Sequence, residues 1–125
     1  MLSIIIPTYN EANNIASVVK QVNASLKKIK HEIIIVDDNS PDQTASIAQK
    51  LAKKFPLKVI IRTADKGLAK SVLDGFKQAQ GDMMTVMDAD LSHPPEVLPK
   101  LYNELKKTNA DIIVASRLVP GGGVE

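Results

Sequence analysis

Two carboxylates stand one residue apart in the segment Val86-Met87-Asp88-Ala89-Asp90, at the end of an apolar run that reads as a buried strand. Side chains alternate along an extended chain, so Asp88 and Asp90 point one way and Ala89 the other. Two hard anionic donors on one small patch suit a divalent cation such as Mg²⁺ or Mn²⁺, which usually shares its shell with substrate phosphates. Taken alone, the triplet equally well ends a strand and caps the next helix. Its neighbours decide between these readings.

Polar residues recur at the ends of the other apolar runs: Pro7-Thr8-Tyr9-Asn10-Glu11, Asp37-Asp38-Asn39-Ser40, Arg62 with Lys66-Gly67, and Ser116-Arg117. Helix capping accounts for Ser40 and for Asn10. It leaves out Asp37 and Asp38, which precede the cap, and the acids at 88 and 90. Clustered carboxylates repel one another unless a cation or a hydrogen-bond donor satisfies them. The pattern therefore favours a metal-dependent ligand that contains phosphate. The only histidines, His31 and His93, read as a surface residue and a helix-start residue.

The elements that must position these groups follow from hydrophobic periodicity. Five short runs rich in branched aliphatics, Leu2–Pro7, Glu32–Asp37, Lys58–Arg62, Met83–Asp88 and Asp111–Ala115, predict strands. Stripes at helical spacing separate them: Ile15, Val18, Val19, Val22 and Leu26; Ala45, Ile47, Ala48 and Leu51; Leu68, Val72 and Phe76 with Ala69 and Leu73; Val97, Leu98, Leu101, Tyr102 and Leu105. Continuous apolar strands imply burial on both faces, and strands alternating with helices imply an open, doubly wound, mostly parallel α/β sheet. In such sheets ligands bind beyond the carboxyl ends of the strands, where the polar segments fall. Ser40-Pro41-Asp42-Gln43 predicts a helix start with Ser as cap and Pro at the first position. Asn10-Glu11 and Pro94-Pro95-Glu96 open two others. Lysines 27, 28, 30, 53, 54, 106 and 107 gather where helices end, opposing the macrodipole.

Composition narrows the function classes. With 125 residues the chain makes one domain's core. A net charge of +2 supplies no field that would draw nucleic acid, and 3% aromatic residues without Trp supply no base-stacking platform. No Cys is present, which removes disulfides and thiolate metal sites. The segment Met1–Ile6 lacks the basic start and length of a signal peptide, and no apolar run approaches the roughly 20 residues of a spanning helix.

Ile6-Pro7-Thr8-Tyr9-Asn10-Glu11, Val36-Asp37-Asp38-Asn39-Ser40-Pro41-Asp42-Gln43-Thr44 and Asp88-Ala89-Asp90-Leu91-Ser92-His93-Pro94-Pro95-Glu96 together resemble the inverting family-2 glycosyltransferases of the GT-A fold. Asn-Ser-Pro-Asp and Ser-His-Pro-Pro-Glu are most similar to the dolichol- or polyprenol-phosphate mannosyltransferase subgroup, and Lys66-Gly67-Leu68 and Ala115-Ser116-Arg117 agree with it. The resemblance implies a nucleotide pocket lined by Pro7, Tyr9, Glu11, Val36 and Asp38. It implies a metal held by Asp88 and Asp90 against the diphosphate, with Ala89 nearby and Ser92 as a weak additional ligand. Arg117 is implied beside the donor sugar or the acceptor phosphate, so Asp90 and Arg117 are the expected catalytic residues. GDP-mannose is the implied donor, Mg²⁺ or Mn²⁺ the metal, and a polyprenol phosphate the acceptor. A lipid monophosphate with a second pKa of about 6 is largely ionised at neutral pH and attacks without a strong base. The implied place is the cytoplasm or the cytoplasmic face of a membrane.

The same resemblance sets expectations about extent. Residues 1–118 are expected to be the nucleotide-sugar-binding domain, with the acceptor half missing, and 119–125 a flexible Gly-rich tail. An uncovered sheet edge and apolar surface would then invite self-association. Two other classes of protein share parts of this pattern. A phosphoreceiver domain needs acids after the first strand, a phosphoacceptor Asp after the third and a Lys after the fifth. Thr8-Tyr9-Asn10, Thr63-Ala64-Asp65 and Ser116-Arg117 stand there instead. A non-catalytic nucleotide-binding or assembly module is compatible with the sequence.

Overall fold

A computed structural model describes residues 1–64, 67–90, 92, 94–108 and 112–114. The elements alternate as expected: β1 (Leu2–Thr8), α1 (Ile15–Ser25), β2 (His31–Asp37), α2 (Thr44–Leu51), β3 (Leu57–Ile61), α3 (Leu68–Gln78), β4 (Met83–Val86), α4 (Val97–Thr108) and β5 (Ile112–Val114). The strands form one sheet in the order β3-β2-β1-β4-β5 with every pairing parallel. The two most continuous apolar runs are the most enclosed. Ile4, Ile5, Ile6, Ile33, Ile34, Ile35 and Val36 have no exposed surface. β3, an edge strand among those described, is only partly buried.

Alternation along the strands divides the core in two. Ile4, Ile6, Ile33 and Ile35 face Ile15, Val18, Val22 and Leu26 of the α1 segment, and Ala48 of α2 and Leu98 of α4 join the same cluster. Ile5, Ile34 and Val36 face the other way, packed with Phe76 and Ala79 at the α3 end. The doubly wound reading therefore holds.

Three local expectations are corrected. The Leu68–Val72–Phe76 stripe is only in part the buried face of α3: Phe76 packs on the sheet, but Leu68 is 66% exposed and its neighbour Leu73 55%. Buried Ser71 and Gly75 meet the sheet instead. A Cβ on Gly75 would come within 2.6 Å of Ile5 Cγ2 and 3.2 Å of Val36 Cγ2, so the close approach of helix to sheet requires glycine there. Ser40 does not cap α2. The helix begins at Thr44, after Gln43 in the left-handed conformation at φ 71°, and Ser40 serves the loop described below. His31 is half-buried rather than a surface residue, its ring nitrogens 2.8 Å from Ile29 O and 3.1 Å from Asn23 Oδ1.

At the amino end of the sheet a buried polar cluster ties distant segments together. Ser3 Oγ donates to Glu32 Oε2 at 2.6 Å, and the same oxygen accepts Gln80 N–H at 2.6 Å. Gly81 N–H donates to Ser3 Oγ at 2.9 Å, and Lys58 Nζ lies 3.3 Å from Glu32 Oε1. Burial alone would push the Glu32 carboxyl up. The bonds from Ser3 and Gln80 and the Lys58 ammonium outweigh it, and its pKa lies below the usual value.

Candidate nucleotide site

The strand order fixes where a ligand can enter. β1 pairs with β2 on one side and with β4 on the other, and the chain reverses its direction of travel across the sheet between them. The crevice at such a switch point opens beyond the carboxyl ends of the two central strands, here Thr8 and Val86. The segments following them are the Tyr9-Asn10-Glu11 loop and Asp88-Ala89-Asp90.

The loop after β1 is held by the loop after β2. Asn10 has φ 56°, a left-handed conformation that Asn tolerates better than most residues. Three consecutive amides then find side-chain acceptors 30 or more residues away: Asn10 N–H to Ser40 Oγ at 2.9 Å, Glu11 N–H to Thr44 Oγ1 at 3.0 Å and Ala12 N–H to Asp42 Oδ2 at 3.1 Å. Thr44 Oγ1 also donates to Asp42 Oδ1. That hydroxyl bond, with the amides of Ala12 and Thr44, holds the Asp42 carboxyl below its ordinary pKa. The Glu11 side chain accepts Asn14 Nδ2–H at 2.9 Å, and its carbonyl accepts the amides of Asn14 and Ile15 at the start of α1.

The two acids after β2 divide their work. Asp37 is fully buried and accepts Thr8 Oγ1 at 2.7 Å, Ser40 Oγ at 2.6 Å and Ser40 N–H at 2.8 Å. It is the anchor of the loop, and hydroxyl and amide donors satisfy it without a cation. The sequence argument that no structural role covers Asp37 is thus corrected. Asp38 turns outward. With Pro7, Thr8, Tyr9, Leu68 and Ser71 it lines a cavity of about 150 Å³. Its Oδ1 lies 3.1 Å from Arg62 Nη1, and its Oδ2 accepts Gly67 N–H at 2.9 Å. Tyr9 is half-exposed at the mouth.

Asp88 and Asp90 lie on a turn beyond β4, which ends at Val86 rather than at Asp88 as the apolar run predicts. Met87 N–H still donates to Ile5 O at 2.9 Å, so the sheet guides the chain to the first acid. Ala89 is buried in the core, Asp88 is partly exposed and Asp90 exposed. Ser92 bridges the pair, with its N–H on Asp90 Oδ1 at 3.0 Å and its hydroxyl 3.4 Å from Asp88 Oδ2. Among the described residues no three or more His, Cys, Asp or Glu gather as a metal cage.

Of the expected nucleotide residues, Pro7, Tyr9 and Asp38 meet at the cavity. Glu11 does not line it and serves as a loop anchor. Val36 is fully buried, its side chain in the α3-facing cluster. Arg117, with Lys66, His93 and Ser116, lies outside the described residues. Reading by motif missed Thr8, Leu68 and Ser71 as cavity walls. Only the strand order, which sets α3 beside the ends of β1 and β2, could reveal the last two.

An open parallel sheet with a small cavity at the end of β1 and acids beyond β4, at the switch point, is the architecture of a doubly wound α/β domain of the GT-A kind. The chain belongs to the family described as Glycosyl transferase family 2, whose profile matches residues 3–125. It is 51% identical over 124 residues to a dolichol-phosphate mannosyltransferase of Pyrococcus furiosus, covering 99% of this chain and 35% of that protein. Among solved structures it is similar to Staphylococcus aureus TarS 1–349 in complex with UDP-GlcNAc, with TM-score 0.75 and 30% identity over 99% of this chain and 36% of that one. It is also similar to the mannosyltransferase PcManGT of Pyrobaculum calidifontis in complex with GDP-Man and Mn²⁺, with TM-score 0.71 and 26% identity over 94% of this chain and 33% of that one. The chain thus spans about a third of the length of each. No helix among the described residues is long and apolar enough to cross a membrane.

Proposed function

We propose that this chain is the donor-binding part of a metal-dependent glycosyltransferase that takes GDP-mannose and serves inverting transfer of mannose to a polyprenol phosphate. The observation that carries the reading is the juxtaposition, across the β1/β4 switch point, of the Pro7–Glu11 loop with the Asp88–Asp90 turn. Similarity to a mannosyltransferase that holds GDP-Man and Mn²⁺, and to a dolichol-phosphate mannosyltransferase, favours this donor and acceptor.

In this reading the nucleoside enters the cavity of Pro7, Tyr9 and Asp38, with Glu11 and the Val36 main chain beside it. The diphosphate extends across to Asp88, Ala89 and Asp90. The donor set fits Mg²⁺ or Mn²⁺: two hard carboxylates joined through Ser92, without a cage, match a cation that takes one or two protein carboxylates and completes its shell with water and phosphate. Asp88 and Asp90 would hold it, with the Ser92 hydroxyl as a weak third donor. The chemistry such an ion supplies is neutralisation of charge developing on a departing nucleoside diphosphate. Arg117 is assigned to the sugar or acceptor phosphate. The nucleotide-sugar-binding domain is assigned to residues 1–118.

A second reading, a uridine donor, is favoured by the similarity to TarS bound to UDP-GlcNAc. Calorimetric titration of GDP and UDP, each with Mn²⁺ and with EDTA, separates the two. Mn²⁺-dependent binding of GDP in preference to UDP supports the proposal. A UDP preference keeps the site and changes the donor, and binding of neither overturns the donor-site reading.

A further inference from the structure

We propose that Arg62 is a positioning residue for nucleoside recognition, which fixes the Asp38 carboxylate and the α3 wall of the cavity in one mutual geometry. This inference rests on the donor-site reading above. Arg62 follows β3 and is 9% exposed, a depth at which a guanidinium needs charged partners. Its backbone N–H extends the sheet by donating to Asp37 O at 2.8 Å. Its side chain joins two elements: Nε donates to Asp74 Oδ2 on α3 at 2.6 Å, and Nη1 lies 3.1 Å from Asp38 Oδ1.

The consequence follows from which groups line the cavity. Asp38 forms one wall, and Leu68 and Ser71 of α3 form another. The planar guanidinium fork bonds Asp38 of one wall and Asp74 of the helix that supplies the other, and a lysine could not hold two carboxylates in that fixed relation. Gly67 N–H occupies the other Asp38 oxygen at 2.9 Å, and Gly67 O accepts Ser71 N–H at 3.0 Å, so the helix start is tied to the same carboxylate. With each oxygen held once, Asp38 offers its remaining lone pairs in a fixed direction to an N–H or O–H of the nucleoside. Preorganised acceptors of this kind bind without the cost of ordering.

The test compares GDP with Mn²⁺–pyrophosphate on wild type, Arg62→Met, Arg62→Lys and Asp74→Asn, with hydrogen exchange of the Gly67 amide in the ligand-free protein. Positioning predicts that Arg62→Met weakens GDP binding about ten- to a hundredfold. Pyrophosphate binding should change less than about twofold, and Arg62→Lys should recover part of the GDP loss. Gly67 exchange should accelerate more than that of the Ile5 amide. Asp74→Asn, which leaves the Asp38 contact in place, should give a smaller change of the same kind and serves if Arg62→Met does not fold. Equal losses for GDP and pyrophosphate, or unchanged GDP binding, would show a merely structural ion pair and overturn the proposal. Wild type that binds pyrophosphate but no nucleotide would overturn the donor-site reading, and unchanged Gly67 exchange would then independently sink the role of Arg62.

Discussion

The two ends of this sheet both carry polar side chains and use them differently. At the amino end, Ser3, Glu32, Lys58 and the amides of Gln80 and Gly81 satisfy one another behind the core. At the carboxyl end the polar groups fall into two layers. Asp37, Asp42, Ser40 and Thr44 are consumed in bracing the loops, Asp38 lines the cavity while held by Arg62 and Gly67, and Asp88 and Asp90 lie partly exposed and exposed beyond β4. Asp88 has no ion pair among the described residues. A closed network contributes to stability, and an open one is a place for something else to bind. The same residue type, a carboxylate after a β-strand or within one, is thus structural or available according to where its hydrogen bonds go.

Substitutions can separate the two ends. The largest effect is expected from Asp90→Ala or Asp88→Ala, which should weaken Mn²⁺-dependent nucleoside-diphosphate binding by about a hundredfold or more while leaving the melting temperature nearly unchanged. Calorimetry and thermal denaturation on the same samples check both halves of that statement. Glu32→Ala should do the reverse. Leaving Ser3, Gln80 and Lys58 without their acceptor should destabilise the fold by about 3 kcal/mol without altering nucleotide affinity at temperatures where the protein is folded, as denaturant titration would show.

The same carboxylate gives a pH signature. Its folded pKa is depressed, so its stabilisation is fully present above the ordinary Glu value and is lost as pH falls through that value toward the folded one. Denaturation midpoints measured across the acid range should therefore fall less steeply in Glu32→Gln than in wild type. Gly75→Ala comes next, at about 1–2 kcal/mol of destabilisation. The clash with Ile5 and Val36 outweighs the gain in helix propensity, and the displacement of α3 should also loosen the Ser71 wall of the cavity. The smallest effect has the opposite sign. Thr85 is buried in β4 with no hydrogen-bond partner for its hydroxyl among the described residues, and Thr85→Val should stabilise by about 1 kcal/mol.

The alternation of strands and helices was legible because each strand run is rich in branched aliphatics and each helix carries a three-four stripe. Loop motifs such as Pro7-Thr8-Tyr9-Asn10-Glu11 were legible as polar segments at the carboxyl edge of the sheet, where the structure puts the β1 loop, but the chain order could not show which of their side chains brace loops and which line the cavity. Helix α3 was misread for a physical reason. Hydropathy rewards large side chains, whereas close helix–sheet contact selects small ones, so Ser71 and Gly75 were passed over in favour of exposed Leu68 and Leu73. Ser40 was misassigned because a capping pattern read along the chain cannot see that Asn10, 30 residues earlier, supplies the amide it accepts. The partners of Arg62 were hidden likewise, since Asp38 and Asp74 meet it only through the fold.

The central claim is that the carboxyl edge binds a nucleoside diphosphate through a divalent cation held by Asp88 and Asp90. Electron paramagnetic resonance of Mn²⁺, titrated with the protein in the presence and absence of GDP, tests it most directly. The account predicts that protein and GDP together immobilise Mn²⁺ in a ternary signal that neither gives alone, and that Asp88→Asn with Asp90→Asn abolishes it. An identical signal in that double variant, or GDP binding of equal affinity in EDTA, would contradict it.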